Sequence, residues 1–377
     1  MGTLSFCGID VSKDRLDAMV LPEQQSSCMG NDPAGWAQLV EWLSDFSIGA
    51  IGLEASSGYE RSVMRALLAA GLSVRQINPF KLRQFANASG VLAKNDRLDA
   101  RMIASFIAVM PTRAAQRRTP GIEQMSEIVT VRRHLSDQKI AAENATKLLE
   151  DAMLQRLSRR RIAQLASDIA QLDNRLAEIV AADSALSRRY QVLTSMPGVG
   201  LVLACTLIAL LPELGRMSRK QIAALVGVAP YDFDSGKLKG KRCIWGGRAP
   251  VRHVLYMAAM SAGDWNPTLK AFRHRLTTAG KVPKVTIVAV MRKMITTLNA
   301  MVRDDVAWAD HLGAARRLHG SQCADRVGRV KVVAARSAGA RSASLDATKS
   351  NSDLPATKSQ LLIRLPRRRW RAHWEAR

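Results

Sequence analysis

The sequence predicts an α/β domain that leads into a long helical hairpin and then a mostly α-helical domain. Three observations predict this. Residues 1–115 alternate short apolar runs of strand length with helix-period segments. Gly121 to Val192 holds almost no Gly or Pro and repeats apolar residues at helical spacing, and residues 193–309 set Gly/Pro turns between further helical patterns.

Taken in order, Leu4–Val11 and Leu16–Leu21 read as paired strands, Ile48–Glu54 as a buried strand, Arg61–Ala70 as a helix and Leu72–Ile77 as another strand. A helix starts in Lys94–Ala104, KNDRLDARMIA, with Asp96 as its N-cap and Asp99 at N3, where a carboxylate suits the helix dipole. Ile162, Leu165, Ile169, Leu172, Leu176 and Ile179 recur at spacings of three and four, the pattern of a coiled-coil seam. An amphipathic helix packed on its own domain would show the same pattern, and both readings stand. Ile128, Val131, Leu135, Ala142, Ala145, Leu149 and Ala152 mark a partner helix, so 116–192 reads as a hairpin. Residues 310–377 carry Arg, Ser and Ala without period. Disorder is expected there, with Arg367, Arg368, Arg369, Trp370 and Arg371 as an end that grips nucleic acid.

The chain has 377 residues, more than one ordinary core accommodates, and a net charge of +24. Residues 311–377 hold 15 Lys/Arg and 4 Asp/Glu, a net of +11, which leaves +13 on residues 1–310. The body is therefore basic too, and a phosphate backbone is the simplest partner for it. Five scattered cysteines, Cys7, Cys28, Cys205, Cys243 and Cys323, form no C-x-x-C pair, which argues against a disulfide framework and a zinc ribbon. No signal peptide opens the chain and the apolar run Leu201–Leu211 is too short to span a bilayer, so a cytoplasmic protein is expected. The six histidines show no ligand spacing. A metal here would take carboxylate ligands, which suits Mg²⁺ or Mn²⁺ rather than Zn²⁺.

In so basic a chain the acids that interrupt apolar segments stand out. Asp10 breaks the strand Phe6–Ser12 beside Gly8, and Glu54 ends the apolar run Ile51–Leu53 at a Gly/Ser turn. A carboxylate in an apolar strand is costly unless a cation sits against it. Asp96 and Asp99, three apart, share a helix face. A strand Asp, a strand-end Glu and a late helix with an acidic pair form the layout of ribonuclease-H-like nucleases, where four carboxylates hold two divalent ions for in-line attack at phosphorus. Capping and ligation can coexist at Asp96.

The stretches G-I-D-V-S-K (Gly8–Lys13), L-E-A-S-S-G-Y (Leu53–Tyr59) and K-N-D-R-L-D-A (Lys94–Ala100) resemble, in order and spacing, the DEDD motif of the insertion-sequence 110 family of transposases. Pro197–Gly200, Gly227–Pro230, Ser235-Gly236, Trp245–Arg252 and Leu255–Met257 are similar to that family's C-terminal transposase domain. The resemblance implies a resolvase-like first domain with Mg²⁺ on Asp10, Glu54, Asp96 and Asp99, and a serine, here Ser235, that becomes covalently joined to DNA. It also implies direction by a structured non-coding RNA from the element's own ends.

Read from its residues alone, Pro197–Gly200 is either a hairpin whose Gly198 and Gly200 let backbone N–H groups approach a phosphate, or a plain turn between helices. Ser235-Gly236 is either a turn or a nucleophile among cations. Lys237, Lys239, Lys241, Arg242, Arg248 and Arg252 surround it and would stabilise charge on an attacked phosphate. Serine needs such activation, and Asp232 and Asp234 are the acids nearest in sequence. The expected activity is DNA cutting and rejoining, with donor and target DNA, a guide RNA and a second copy of the chain through the coiled coil as partners. A junction-resolving nuclease would need the four acids without Ser235, and a non-catalytic nucleic-acid-binding module would need neither.

Overall fold

Strand β1 (Ser5–Val11) buries Cys7, Ile9 and Val11 on one face and sends Phe6, Gly8 and Asp10 to the other. This is the computed structural model of the chain; it describes residues 4–55, 58–90, 96–236, 239–309 and 311, with the side chains of 96–98 excepted. Strand β2 (Arg15–Leu21) pairs antiparallel with β1, Phe6 facing Leu21 and Val11 facing Leu16. Strand β3 (Gln25–Gly30) continues the meander on the outer side of β2. On the other side β4 (Ile48–Glu54) runs parallel to β1, and β5 (Val74–Ile77) parallel to β4. The order is β3-β2-β1-β4-β5, three antiparallel strands followed by two parallel ones, as in a ribonuclease-H-like sheet.

Helices cover both faces. On one, Leu39 and Leu43 of α1 (Pro33–Ser44) and Val63 and Leu67 of α2 (Glu60–Ala69) pack on Ile9, Leu16, Ile51 and Leu53. On the other, Leu82 of α3 (Pro79–Ala88) and Ile103, Phe106 and Ile107 of α4 (Asp96–Val109) pack on Ala50 and Ile77. The sequence reading missed β3, α1 and α3. Gln25-Ser26-Ser27-Cys28 is polar and mostly exposed because β3 is an edge strand with one neighbour, so no apolar alternation marks it. Helix α3 starts where Asn78 accepts hydrogen bonds from the Phe80 and Lys81 N–H groups, with Pro79 in the first turn. One expectation is corrected: α4 begins at Asp96, which makes Asp96 its first helical residue rather than the cap, and the residue before it lies outside the described residues.

Glycines decide how α4 lies. A Cβ on Gly8 would stand 2.1 Å from the Ala100 carbonyl oxygen and 2.3 Å from the Ala104 nitrogen. One on Gly52, the parallel register partner of Gly8, would stand 2.7 Å from Ile103 Cγ2. The helix thus rests on two adjacent strands at a distance that only a missing side chain permits.

Beyond the sheet, α5 (Pro120–Thr146) and α6 (Ala152–Ala182) form an antiparallel hairpin, their starts capped by Thr119 and Asp151. Arg132 forks onto Asp173 at 2.5 and 3.0 Å. Leu165 and Leu176 of the expected seam are fully buried, while Ile162 and Leu172 are half-buried. At the base of the hairpin Met125, Ile128, Leu176 and Ile179 join a core shared with α7 (Ser184–Thr194), α8 (Leu201–Leu210), α9 (Arg219–Val226), α10 (Ala249–Trp265), α11 (Pro267–Thr278) and α12 (Pro283–Asp304). The hairpin and the last helical segment, expected as separate domains, therefore meet in one continuous core. Toward the hairpin's loop Ile140, Leu148, Met153, Leu154 and Leu157 face solvent. By length and composition α12 is apolar enough to cross a membrane, but Val290, Met291, Met294, Ile295 and Leu298 are buried in this core. The basic tail from residue 312 onward, with its expected disorder, lies outside the described residues.

Gly8→Ala should cost about 3 kcal/mol in denaturant unfolding, because the new methyl meets backbone that cannot step aside. Gly121→Ala should be neutral or stabilising, since its methyl would find ordinary contacts at 3.5 and 3.6 Å within a helix. Equal stability for the two variants would mean that α4 does not depend on the glycine seat.

Candidate active site

The parallel register runs Gly8 with Gly52 and Ile9 with Leu53, so the next residues, Asp10 and Glu54, emerge side by side at the carboxyl ends of two adjacent strands. Both point to the face that α4 covers, because they alternate with Ile9 and Leu53, which are buried on the opposite side. Ala100 lies over Gly8 and also borders a small cavity lined by Asp17, Met19 and Cys28, which sets the first turn of α4, with Asp99, toward the Asp10 end of β1. Asp10, Glu54 and Asp99 are half-buried, and none is without a partner. The side chain of Asp96 lies outside the described residues.

Sequence reasoning missed one acid. Asp17 stands directly opposite Asp10 in the antiparallel register, is buried, and is held by Arg15 at 2.5 Å. It interrupts the apolar strand Leu16–Leu21 just as Asp10 interrupts β1, so the rule that found Asp10 would have found it. Arg15 supplies the countercharge that a carboxylate in a strand needs.

The donor set at this face consists of hard carboxylate oxygens and suits Mg²⁺ or Mn²⁺. Among the described residues, no three potential ligands gather closely enough to form a metal nest by themselves. Half-buried carboxylates on neighbouring strands repel each other, and a divalent cation would relieve that repulsion.

Ser235 lies on a loop closed by a two-stranded ribbon, β6 (Pro230–Tyr231) and β7 (Cys243–Ile244), with Tyr231 facing Cys243. The loop is exposed and turns at Gly236, whose φ of +57° lies in the left-handed region. Its two acids are engaged within it. Asp232 pairs with Arg242, and Asp234 accepts the Gly240 N–H at 3.0 Å. Lys239 and Lys241 are exposed, and Lys237 lies outside the described residues.

The remaining cations and glycines expected at this site divide. Arg248 forks onto Glu213 with both contacts at 2.6 Å and donates to the Leu210 carbonyl, so it ties the start of α10 to the end of α8. Arg252 donates to the Gly246 carbonyl. Gly198, φ +98°, is seated against α10, where a Cβ would come 2.4 Å from that of Ala262. Gly200 is exposed, N-caps α8 and has open space around it. Of the two glycines, Gly198 is a packing glycine and Gly200 alone is open to a phosphate.

Two family profiles match the chain. One, DEDD_Tnp_IS110, described as a transposase, spans residues 7–153. The other, Transposase IS116/IS110/IS902 family, spans residues 190–274. The "Pilin gene-inverting protein" of Moraxella bovis is 25% identical over 312 residues, which cover 80% of this chain and 96% of that one. The "Insertion element IS900 uncharacterized 42 kDa protein" of Mycobacterium paratuberculosis is 28% identical over 163 residues, covering 41% of this chain and 40% of that one. The Thermus thermophilus RuvC structure superposes with a TM-score of 0.24 and 16% identity, covering 30% of this chain and all of that one.

The Arg248–Glu213 fork has a pH signature. Burial pushes the Glu213 carboxyl up, but the hydrogen bonds and charge of Arg248 outweigh it and hold the group below its ordinary value of 4.5. A depressed carboxylate contributes stability that is present above its unfolded pKa and lost as pH falls through the folded one. Glu213→Gln should therefore lower stability by about 2 kcal/mol at pH 7, with the gap to the unmodified chain narrowing as pH falls below the ordinary carboxylate range. Thermal melts across pH check this, and a gap that failed to narrow on acidification would refute it.

Proposed function

The chain belongs to the IS110 family of transposases and acts as a DNA transposase or recombinase, and we propose that it does so through a covalent phosphoserine link formed by Ser235 beside the Asp10–Glu54–Asp96–Asp99 face. The observation that carries the proposal is the emergence of Asp10 and Glu54 side by side under α4, in a profile-matched domain that precedes the profile-matched Ser235 loop. The pilin gene-inverting relative adds weight, because inverting a gene requires strands to be cut and rejoined without loss.

In this reading Asp10, Glu54, Asp96 and Asp99 hold Mg²⁺, or Mn²⁺ in its place. The ion supplies charge neutralisation at the phosphate. The Ser235 Oγ–P bond forms as the bond from phosphorus to one sugar oxygen breaks. The hydroxyl proton leaves serine, and the sugar oxygen gains one, so charge and atoms balance. Rejoining reverses the step with the hydroxyl of another strand. The exposed Lys239 and Lys241 would meet the phosphate charge that builds up in both directions, a role the sequence extends to Lys237. Within the loop Asp232 pairs with Arg242, and Asp234 accepts the Gly240 N–H through one carboxylate oxygen.

Two features support further partners. The net charge of +24 fits a guide RNA bound together with donor and target DNA. The exposed apolar end of the α5–α6 hairpin fits a second copy of the chain joined through it, in the cytoplasm.

Cleavage of element-end DNA should leave a protein–DNA adduct that survives denaturation. Ser235→Ala should abolish it, and Ser218→Ala, which removes only the cap of α9, should retain it. Asp10→Asn and Asp99→Asn should lower adduct yield more than about 100-fold with the fold intact. Normal cleavage by Ser235→Ala, with free ends and no adduct, would leave hydrolysis by the acids alone. For the guide, RNA that co-purifies at low salt should be released by high salt and should map to the element's own ends; random cellular fragments would count against it.

A further inference from the structure

The ribbon that carries Ser235 is lined by rings that no core covers. Trp245 is 64% exposed, Phe233 59% and Tyr231 42%, and Phe80 at the start of α3 is 51% exposed. Phe80 and Trp245 touch edge to face, their ring centroids 5.4 Å apart and their planes 82° apart, so ring faces remain open on both. Neither ring belongs to any of the three hydrophobic clusters of the fold. The surroundings are cationic: Lys81 follows Phe80, and Lys239, Lys241 and Arg242 lie on the loop that the ribbon closes, all of them exposed. Open π-faces interleaved with cations suit a polyanion that itself carries π-faces, which describes unpaired nucleic acid.

We infer that Phe80 and Trp245, with Tyr231 and Phe233 along the same ribbon, form a stacking platform for an unpaired base of the DNA strand next to the phosphate that Ser235 attacks. The inference rests on the reading of Ser235 given above, which is what selects DNA as the occupant. Within a duplex the base faces are hidden by neighbouring bases, so only an opened strand can use such a platform. A recombinase that rejoins a strand to a new partner must hold that strand open beside the break, and stacking does so without reading sequence.

The test uses the full-length protein and a 12-nucleotide DNA with a single 2-aminopurine, free or paired in a duplex. Stacking should quench the 2-aminopurine of the free strand. Trp245→Ala and Phe80→Ala should each weaken single-strand binding about tenfold, with duplex binding unchanged within about twofold. Trp245→Phe should restore binding, because it restores a ring. Trp245→Leu keeps an apolar side chain against Phe80 but no ring face. A platform predicts lost quenching in this variant, whereas a mere latch between α3 and the ribbon predicts that quenching is kept. Ser235→Ala should bind and quench as the unmodified chain does, so failure of the serine chemistry and failure of the platform give different results. Unchanged single-strand affinity in both alanine variants, an equal loss on duplex, or tenfold tighter binding of the same sequence as RNA would each overturn the inference.

Discussion

The seat of α4 on Gly8 and Gly52 is the contact on which the rest of the first domain depends. Two adjacent strands give up their side chains at one level, and the helix settles onto bare backbone. Two residues further along the same strands stand Asp10 and Glu54, so the glycines that admit the helix also fix how closely its first turn approaches those carboxylates. A methyl at Gly8 would meet the helix backbone and lift it, and with it Asp99, whereas one at Gly52 would press on the Ile103, Ile107 and Ile77 side chains. Close packing there is a constraint on charge geometry as much as on stability.

From α4 the structure leads outward through aromatic contacts. Phe106 of α4 meets Phe85 of α3 edge to face at 5.4 Å, and Phe80 at the start of α3 meets Trp245 beside the Ser235 ribbon at the same distance. The first contact lies in the core and fixes α3. The second lies at the surface, where its rings stay open. The arginines follow a similar division: Arg248 and Arg132 are locked to Glu213 and Asp173 and hold helices together, while Lys239 and Lys241 of the ribbon loop face solvent. A forked guanidinium suits a fixed carboxylate, and a flexible ammonium suits a phosphate that arrives and departs.

Much of this was legible in the sequence, for a definite reason. β1, β2 and β4 are largely apolar runs, and an acid inside such a run is conspicuous, so Asp10 and Glu54 could be picked out one residue at a time. Asp17 obeyed the same rule and was overlooked beside Arg15, its own counterion. β3 is a polar edge strand and α3 a short capped helix, whereas α1 was passed over although Trp36, Leu39, Val40 and Leu43 recur at helical spacing. What no local pattern encodes is pairing across distance. Glu213 and Arg248 are 35 residues apart, so Arg248 read as a free cation of the Ser235 loop. Phe80 and Trp245 are separated by nearly half the chain, and nothing in either neighbourhood announces the other.

A basic protein that masses acids at one place faces opposing demands, and range resolves them. At physiological salt a charge is screened beyond about 8 Å. The carboxylates of β1, β4 and α4 therefore act on what lies against them, while cations spread over the body and the ribbon loop set the field that an approaching phosphate backbone meets. Attraction over distance and local ion binding thus do not cancel, provided the acids are recessed. Half-burial beneath α4 recesses them, and the glycine seat sets the depth. The exposed ribbon, by contrast, offers its lysines and rings to whatever the field has drawn in. Ser235 stands on that exposed side; on the proposed chemistry one phosphate would meet both the cationic ribbon and the recessed acids.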